Sequence, residues 1–274
     1  MSLQLYQTKV FVSGNVVEVY QYGLPIARGY ERSTSSTPSI SDYDIDLETG
    51  EILSSPEERK LSSRAQSNIR ARNNLRRLAL MNFTNKSKFL TLTTKENITD
   101  LEQSNTHFKA FIRKLKKECK DEPLKYLAVI EFQKRGAVHY HMLCNLPYVR
   151  VEKIRTLWRS VVGEGNIDLQ RIDHVDNIGA YVIKYMTKED ADPRLIGKKM
   201  YQCSKGLTKP RELIGAEADK ILSQLQQNGK KIAYSNSYRS KHLDCEVVYS
   251  EYNLDRQSNK KQNLDDSIIS KMHL

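Results

Sequence analysis

The sequence predicts an α+β fold built on a ferredoxin-like split β-α-β-β-α-β core with an antiparallel sheet. Three observations carry this. Segments with strand-like and with helix-like apolar periodicity follow one another in that order between Lys88 and Ile172. The two central strand segments are separated only by Lys134-Arg135-Gly136, so they form a hairpin. A further helical segment follows the last strand directly.

The elements justify themselves in turn. Lys88 to Thr94 (KFLTLTT) alternates as a half-buried strand does. Thr99 to Cys119 repeats Leu101, Phe108, Phe111, Ile112 and Leu115 at helical spacing, and Asp121 and Pro123 end it. Leu124 to Gln133 and Ala137 to Asn145 are the hairpin strands. Val151 to Val162 is a helix with Leu157 and Trp158 at core spacing, and Asn166 to Ile172 is the fourth strand. Asp176 is placed to cap a last helix, Asn177 to Lys188. In this order the helices pack on one face of the sheet and leave the other free, with the last helix following the last core strand.

The flanks are less regular. Residues 3–30 read as a hairpin around Ser13-Gly14-Asn15, 33–56 as a linker rich in Ser, Thr, Asp and Pro, and 57–80 as a basic helix. After Asp192 come a basic loop (Gly197 to Lys209), a helix (Glu212 to Gln227), two Tyr-rich strands within Lys231 to Leu254, and a polar tail. The expected division is therefore 1–80 for the N-terminal hairpin, linker and basic helix, 81–192 for the catalytic core, and 193–274 for a basic, Tyr-rich extension.

The chain has 274 residues, with 44 Lys and Arg against 33 Asp and Glu, a net charge of +11. That excess points to a polyanionic partner. No apolar run approaches a membrane span, and the N-terminus reads without a signal-peptide core, so no membrane partner is expected. The four cysteines are scattered, with no CxxC pair, which excludes a zinc ribbon and fits a reduced, cytoplasmic setting. No GxxxxGK[ST] occurs, which excludes a P-loop NTPase. The basic helix supplies Arg70, Arg72, Arg76 and Arg77, and the later loop Lys198 and Lys199, as candidate phosphate contacts.

Two constellations carry chemistry. His139 and His141 lie two apart on one strand, so both imidazoles leave one face. A three-residue turn puts Gly136 where a left-handed residue is wanted, and sets Glu131 opposite His139 and Val129 opposite His141. Opposed side chains share a face with Cβ atoms about 5 Å apart, so two imidazoles and a carboxylate converge. Such a donor set suits Mg2+ or Mn2+, and also Zn2+ or Fe2+. A pair of hydrogen-bonded surface histidines is the alternative. Ala128, Ile130, Phe132, Val138, Tyr140, Met142 and Cys144 occupy the opposite face, which suits packing under helices. In the second constellation Tyr181 and Tyr185 stack on one helix face, each followed three residues later by a lysine, Lys184 and Lys188. An adjacent ammonium favours the phenolate and neutralises phosphate. The alternative is an amphipathic helix with snorkelling lysines. Taken together, the two describe a nuclease that stores phosphodiester energy in a phosphotyrosine and needs no ATP.

These residues resemble the HUH endonuclease superfamily, and more narrowly the rolling-circle replication initiators of plasmids and single-stranded DNA phages. EFQKRGAVHYHMLCNLPY matches their His-hydrophobic-His motif, AYVIKYMTK looks like their two-tyrosine motif, and FLTLTT sits where their first motif belongs. The resemblance covers roughly Phe89 to Pro210. It implies His139 and His141 as metal ligands completed by Glu131, Tyr181 and Tyr185 as nucleophiles, and Lys184 at the scissile phosphate, with Lys188 in the same relation to Tyr185. It further implies nicking of single-stranded DNA at a replication origin, commonly hairpin-containing, through a 5′-phosphotyrosine, in a bacterial cytoplasm whose host helicase and polymerase unwind and copy the duplex. A mobilisation relaxase or tyrosine transposase shares this chemistry, but relaxases usually place the tyrosine before the His motif. A non-enzymatic single-stranded nucleic-acid binder would instead put aromatics on the central strands.

Overall fold

The computed structural model describes residues 4–28, 56–119, 121–175, 177–186, 193–195, 198–240 and 243–255, with backbone alone for 56–66 and 193. In chain order the elements are β1 (Gln4–Ser13), β2 (Val16–Arg28), α1 (Pro56–Asn82), β3 (Lys88–Thr94), α2 (Leu101–Lys116), β4 (Tyr126–Phe132) and β5 (Val138–Cys144). There follow α3 (Val151–Val162), β6 (Gly165–Arg171), α4 (Ile178–Ile183), β7 (Tyr201–Cys203), β8 (Arg211–Ile214), α5 (Ala216–Gln227), β9 (Ile232–Ser240) and β10 (Cys245–Asn253). Among the described residues no helix is long and apolar enough to cross a membrane.

The described residues fall into two compact units divided at Thr208/Lys209, with the N-terminal hairpin belonging to the later unit. This differs from boundaries at 80 and 192. The basic helix α1 joins the central unit because Leu75 and Ala79, with Phe83 just beyond, are core residues there. The N-terminal hairpin shares a sheet with strands from after Thr208. The linker at 33–56 lies almost wholly outside the described residues, as does most of the polar tail.

In the central unit five strands take the order β6-β3-β5-β4-β7. The first four reproduce the ferredoxin-like order, and every pairing is antiparallel. The fifth, β7, rises from what the sequence suggested was a loop and pairs with β4. The helices α2 and α3 cover one face over Ala128, Ile130, Val138, Tyr140, Met142 and Cys144, as the alternation required. Trp158 on α3 is fully buried, donates from Nε1 to Thr93 O at 2.8 Å, and meets Phe111 edge-on. Burying such a ring stabilises the fold by about 2–3 kcal/mol.

The other face is not free. Phe89, Leu127, Val129 and Leu143 on it pack with Leu75 and Ala79 of α1 and with Ile178 and Val182 of α4. Only the polar residues of this face mark it as a site. The four apolar ones demand cover, and that demand recruits both helices. The two helices approach closely at Gly179, where an added Cβ would lie 2.7 Å from Arg76 Cγ and 2.8 Å from Arg76 O.

The second unit is an antiparallel sheet of order β8-β1-β2-β10-β9. Val10, Val12, Val17, Val19, Leu213 and Tyr252 form its core with Ala218 and Leu225 of α5. The residue range expected to open that helix instead begins as β8, paired with β1.

Candidate active site

The site starts from a turn. Gly136 has φ +87°, and its N–H donates to Gln133 O at 2.7 Å, while Gln133 N donates to Ala137 O at 2.9 Å. The left-handed backbone fixes the register, which pairs Glu131 with His139 and Val129 with His141. On the far side of β5, Thr91 of β3 pairs with His141, and Asp168 of β6 pairs with Thr91. A row of polar side chains therefore crosses the sheet beside the hairpin cluster.

Glu131, His139 and His141 each present a ligand-type atom within 4.8 Å of the others. His141 is held at both nitrogens, with Nε2 2.5 Å from Glu131 Oε2 and Nδ1 3.1 Å from Thr91 Oγ1. An ionised carboxylate only accepts, so Nε2 carries the proton and Nδ1 accepts from the Thr91 hydroxyl. Because that hydroxyl can donate or accept, the imidazole can change tautomer and free Nε2 without losing its Thr91 bond. His139 differs. Its Nε2 is buried and makes no hydrogen bond. Burial, then the neighbouring His141 and Arg135, push its imidazole down to about 4 against the opposing pull of Glu131. It is thus neutral at neutral pH, with a lone pair to give. An orphaned buried nitrogen, a second imidazole on a switchable hydroxyl and a carboxylate together fit a divalent cation.

The tyrosines meet this cluster through α4. Asn177, not Asp176, caps the helix, its side chain accepting from Ala180 N at 2.9 Å. Asp176 lies outside the described residues. The helix spans only Ile178–Ile183, shorter than the expected 177–188. Tyr185 N then bonds Val182 O and Met186 N bonds Ile183 O, a tightening to i−3 bonds. Both rings still converge. Tyr185 stacks on His141 with centroids 4.0 Å apart and on Phe89 at 5.2 Å. Tyr181 meets Phe89 edge-on at 5.0 Å and Tyr185 at 6.2 Å. The Lys184 ammonium lies 3.8 Å from the Tyr181 ring centroid and 4.8 Å from that of Tyr185.

The expected activation by lysine is outweighed here. Burial, followed by the hydrogen bond and charge of Tyr185, raises the Tyr181 phenol above its usual value, although Lys184 pulls it down. Burial raises Tyr185 as well, with Glu131 and Asp168 adding to the rise. Both phenols are therefore protonated at neutral pH.

Other residues separate. Lys188 lies outside the described residues. Of the arginines assigned to phosphate contact, Arg70 is exposed and Arg72 half-buried, whereas Arg76 and Arg77 are buried at 8% and 7% exposure on the packed side of α1. Helical spacing put all four on one basic segment without distinguishing its inner face. Lys198 and Lys199 are exposed. Sequence reasoning missed Thr91, Phe89, Asp168 and Gln170. Gln170 accepts from Tyr181 Oη at 3.4 Å and donates to Asp168 at 2.5 Å. Alternation along β3 and β6 carries the signal for all four, once the strand order is known.

Residues 87–190 match a family model described as Replication-associated protein, of the ORF2 and gene 2 protein type. The matched span runs from the start of β3 through the tyrosine segment. No curated protein and no solved structure matches the chain.

Proposed function

We propose that the protein initiates rolling-circle DNA replication as a site-specific, metal-dependent single-strand DNA endonuclease and ligase acting through a 5′-phosphotyrosine. The observation that carries this reading is the stacking of Tyr185 on His141, which sets a phenol beside a cation-type cluster of two imidazoles and a carboxylate. The family match over 87–190 supports the setting in replication.

Glu131, His139 and His141 would hold the cation, Mg2+ or Mn2+. When bound, it supplies polarisation of the scissile phosphodiester and neutralises its charge. Thr91 orients His141 from behind. Lys184 stands over both rings, where its charge opposes that of the phosphate and lowers the cost of forming a phenolate. In the cleavage step a tyrosine Oη forms a bond to phosphorus as the P–O3′ bond breaks. The phenol gives up its proton, and the departing 3′ oxygen takes one to become the primer hydroxyl. One ester replaces another, so a later attack by a free 3′ hydroxyl on the phosphotyrosine reseals DNA without ATP and restores the phenol. A second tyrosine lets the protein cut again while the first holds a strand. Arg70, Lys198 and Lys199 are the exposed cations assigned to the backbone of single-stranded origin DNA. Host helicase and polymerase would open and extend the duplex.

Labelled single-stranded oligonucleotides tiling the DNA around the gene, incubated with protein and Mn2+, test this. The expected result is a covalent protein–DNA adduct and a fragment that polymerase extends from its 3′ hydroxyl. Binding to DNA without cleavage under any divalent metal overturns the enzyme. An adduct that survives in the Y181F/Y185F variant overturns the tyrosines.

A further inference from the structure

The second unit ends its sheet on an unguarded strand. β9 is at the edge, paired with β10 alone among the described residues. Every residue from Ile232 to Arg239 is exposed, and Ser240 is half-buried. Its backbone groups on the outer edge are therefore open to pairing. Proteins normally blunt such an edge with a central charge, a proline or a very short strand. This strand runs for nine residues, and Ile232 to Tyr238 holds neither a charge nor a proline. Three of the protein's exposed large hydrophobic side chains lie on it: Ile232, Tyr234 and Tyr238, at 51%, 54% and 47% exposure. The helix α5 packs on the opposite side of the sheet's order, over β1 and β8, and leaves this edge uncovered.

The strand's own sequence selects the partner. Tyr234-Ser235-Asn236-Ser237-Tyr238 reads the same in both directions. An interface between two copies about a two-fold axis must be self-complementary, and an antiparallel strand pair is the simplest such interface. We propose that β9 is a homodimerisation edge, pairing antiparallel with β9 of a second copy about an axis at Asn236. In that register Tyr234 faces Tyr238 of the second copy at both ends, Ser235 faces Ser237, and Asn236 faces itself. Over Ile232–Ser240 no two like charges oppose each other. Cross-strand tyrosine pairs on this face add to main-chain hydrogen bonds. A different protein strand would have no need of the palindrome. The inference is independent of the DNA chemistry proposed above.

Cross-linking at the axis tests it. Asn236→Cys, in a Cys203→Ser background that removes the one exposed native thiol, sets two sulfurs opposite each other at a spacing of about 4.5–5.5 Å between Cα atoms, which a disulfide spans. A single strand pair is a small interface, so the measurement is made at about 100 µM protein. The expected result is a disulfide-linked dimer under mild oxidation, a reversible dimer of the native chain in sedimentation equilibrium, and loss of both when Ser235→Lys and Ser237→Lys are added. A native chain that stays monomeric with no cross-link overturns the proposal and leaves the edge to the chain's own tail or to another protein. Cross-linking that persists with the two lysines, or native species larger than a dimer, also overturns it.

Discussion

The two sheets have the same number of strands and the same antiparallel pairing, yet they place their open chemistry in opposite positions. In the central unit the reactive side chains sit on β5, with a paired strand on either side. Glu131 on β4 and Thr91 on β3 reach His141 from those two neighbours, so both of its nitrogens are fixed. In the other unit the open groups sit on the outermost strand, β9, and they belong to the backbone. A central strand holds side chains in place from both flanks, which is what preorganised chemistry needs. An edge strand offers main-chain donors and acceptors, which is what association needs.

Changes at the central strand should then abolish reaction, while changes at the edge should leave it intact. The largest effect belongs to Y181F/Y185F, which should reduce the covalent adduct below detection on a denaturing gel while Mn2+ binding persists. Removing the metal ligand in His141→Ala should cost more than about 100-fold in cleavage rate, because it exceeds the usual effect of losing a supporting partner. Thr91→Val removes only that supporting hydroxyl and should weaken Mn2+ binding by about 10–100-fold in a calorimetric titration. Gly179→Ala forces a Cβ against Arg76. It should cost about 1–3 kcal/mol in a denaturant titration and slow cleavage, with Mn2+ affinity retained. Equal loss of metal binding would join the helix packing and the cluster into one effect and blunt the contrast.

His139 adds a pH signature in the metal-free protein. Its folded value is near 4 against 6.5 unfolded. Between those values the unfolded chain holds a proton that the folded chain refuses. Its contribution to stability is thus complete above pH 6.5 and is lost as pH falls toward 4. Urea midpoints should decline across this window in the native chain, and His139→Gln should flatten that part of the curve. The smallest expected effect is at the edge, where Ser235→Lys with Ser237→Lys should change cleavage of a short oligonucleotide by less than about two-fold.

The hairpin was the most legible part of the sequence because a strand's two-residue period and a short turn leave no freedom. Once Gly136 closes the loop, Glu131 must face His139. The core beneath it was legible for the same reason, since Tyr140 and Met142 alternate against the histidines. The cover on the site face was harder to see. Leu127, Val129 and Leu143 share the face with the histidines, but their partners on α1 lie about fifty residues away in the chain, and local periodicity carries no information on that pairing. The same limit hid Arg76 and Arg77, whose burial depends on which side of α1 meets the sheet. Asp168 and Gln170 escaped because their nearness to the tyrosines depends on strand order. The early end of α4 at Ile183 escaped because its hydrogen-bond pattern tightens without any glycine or proline to announce it.

The central claim is that a phenol beside the Glu131–His139–His141 cluster receives the DNA. Trypsin separates the two candidates, since cleavage after Arg171 and Lys184 puts Tyr181 on the peptide Ile172–Lys184 and Tyr185 on the one that follows. Mass spectrometry of the digested adduct should find the nucleotide mass on one or both of these peptides, joined through the tyrosine oxygen. A nucleotide carried by any other peptide, or by a serine or histidine, contradicts the account.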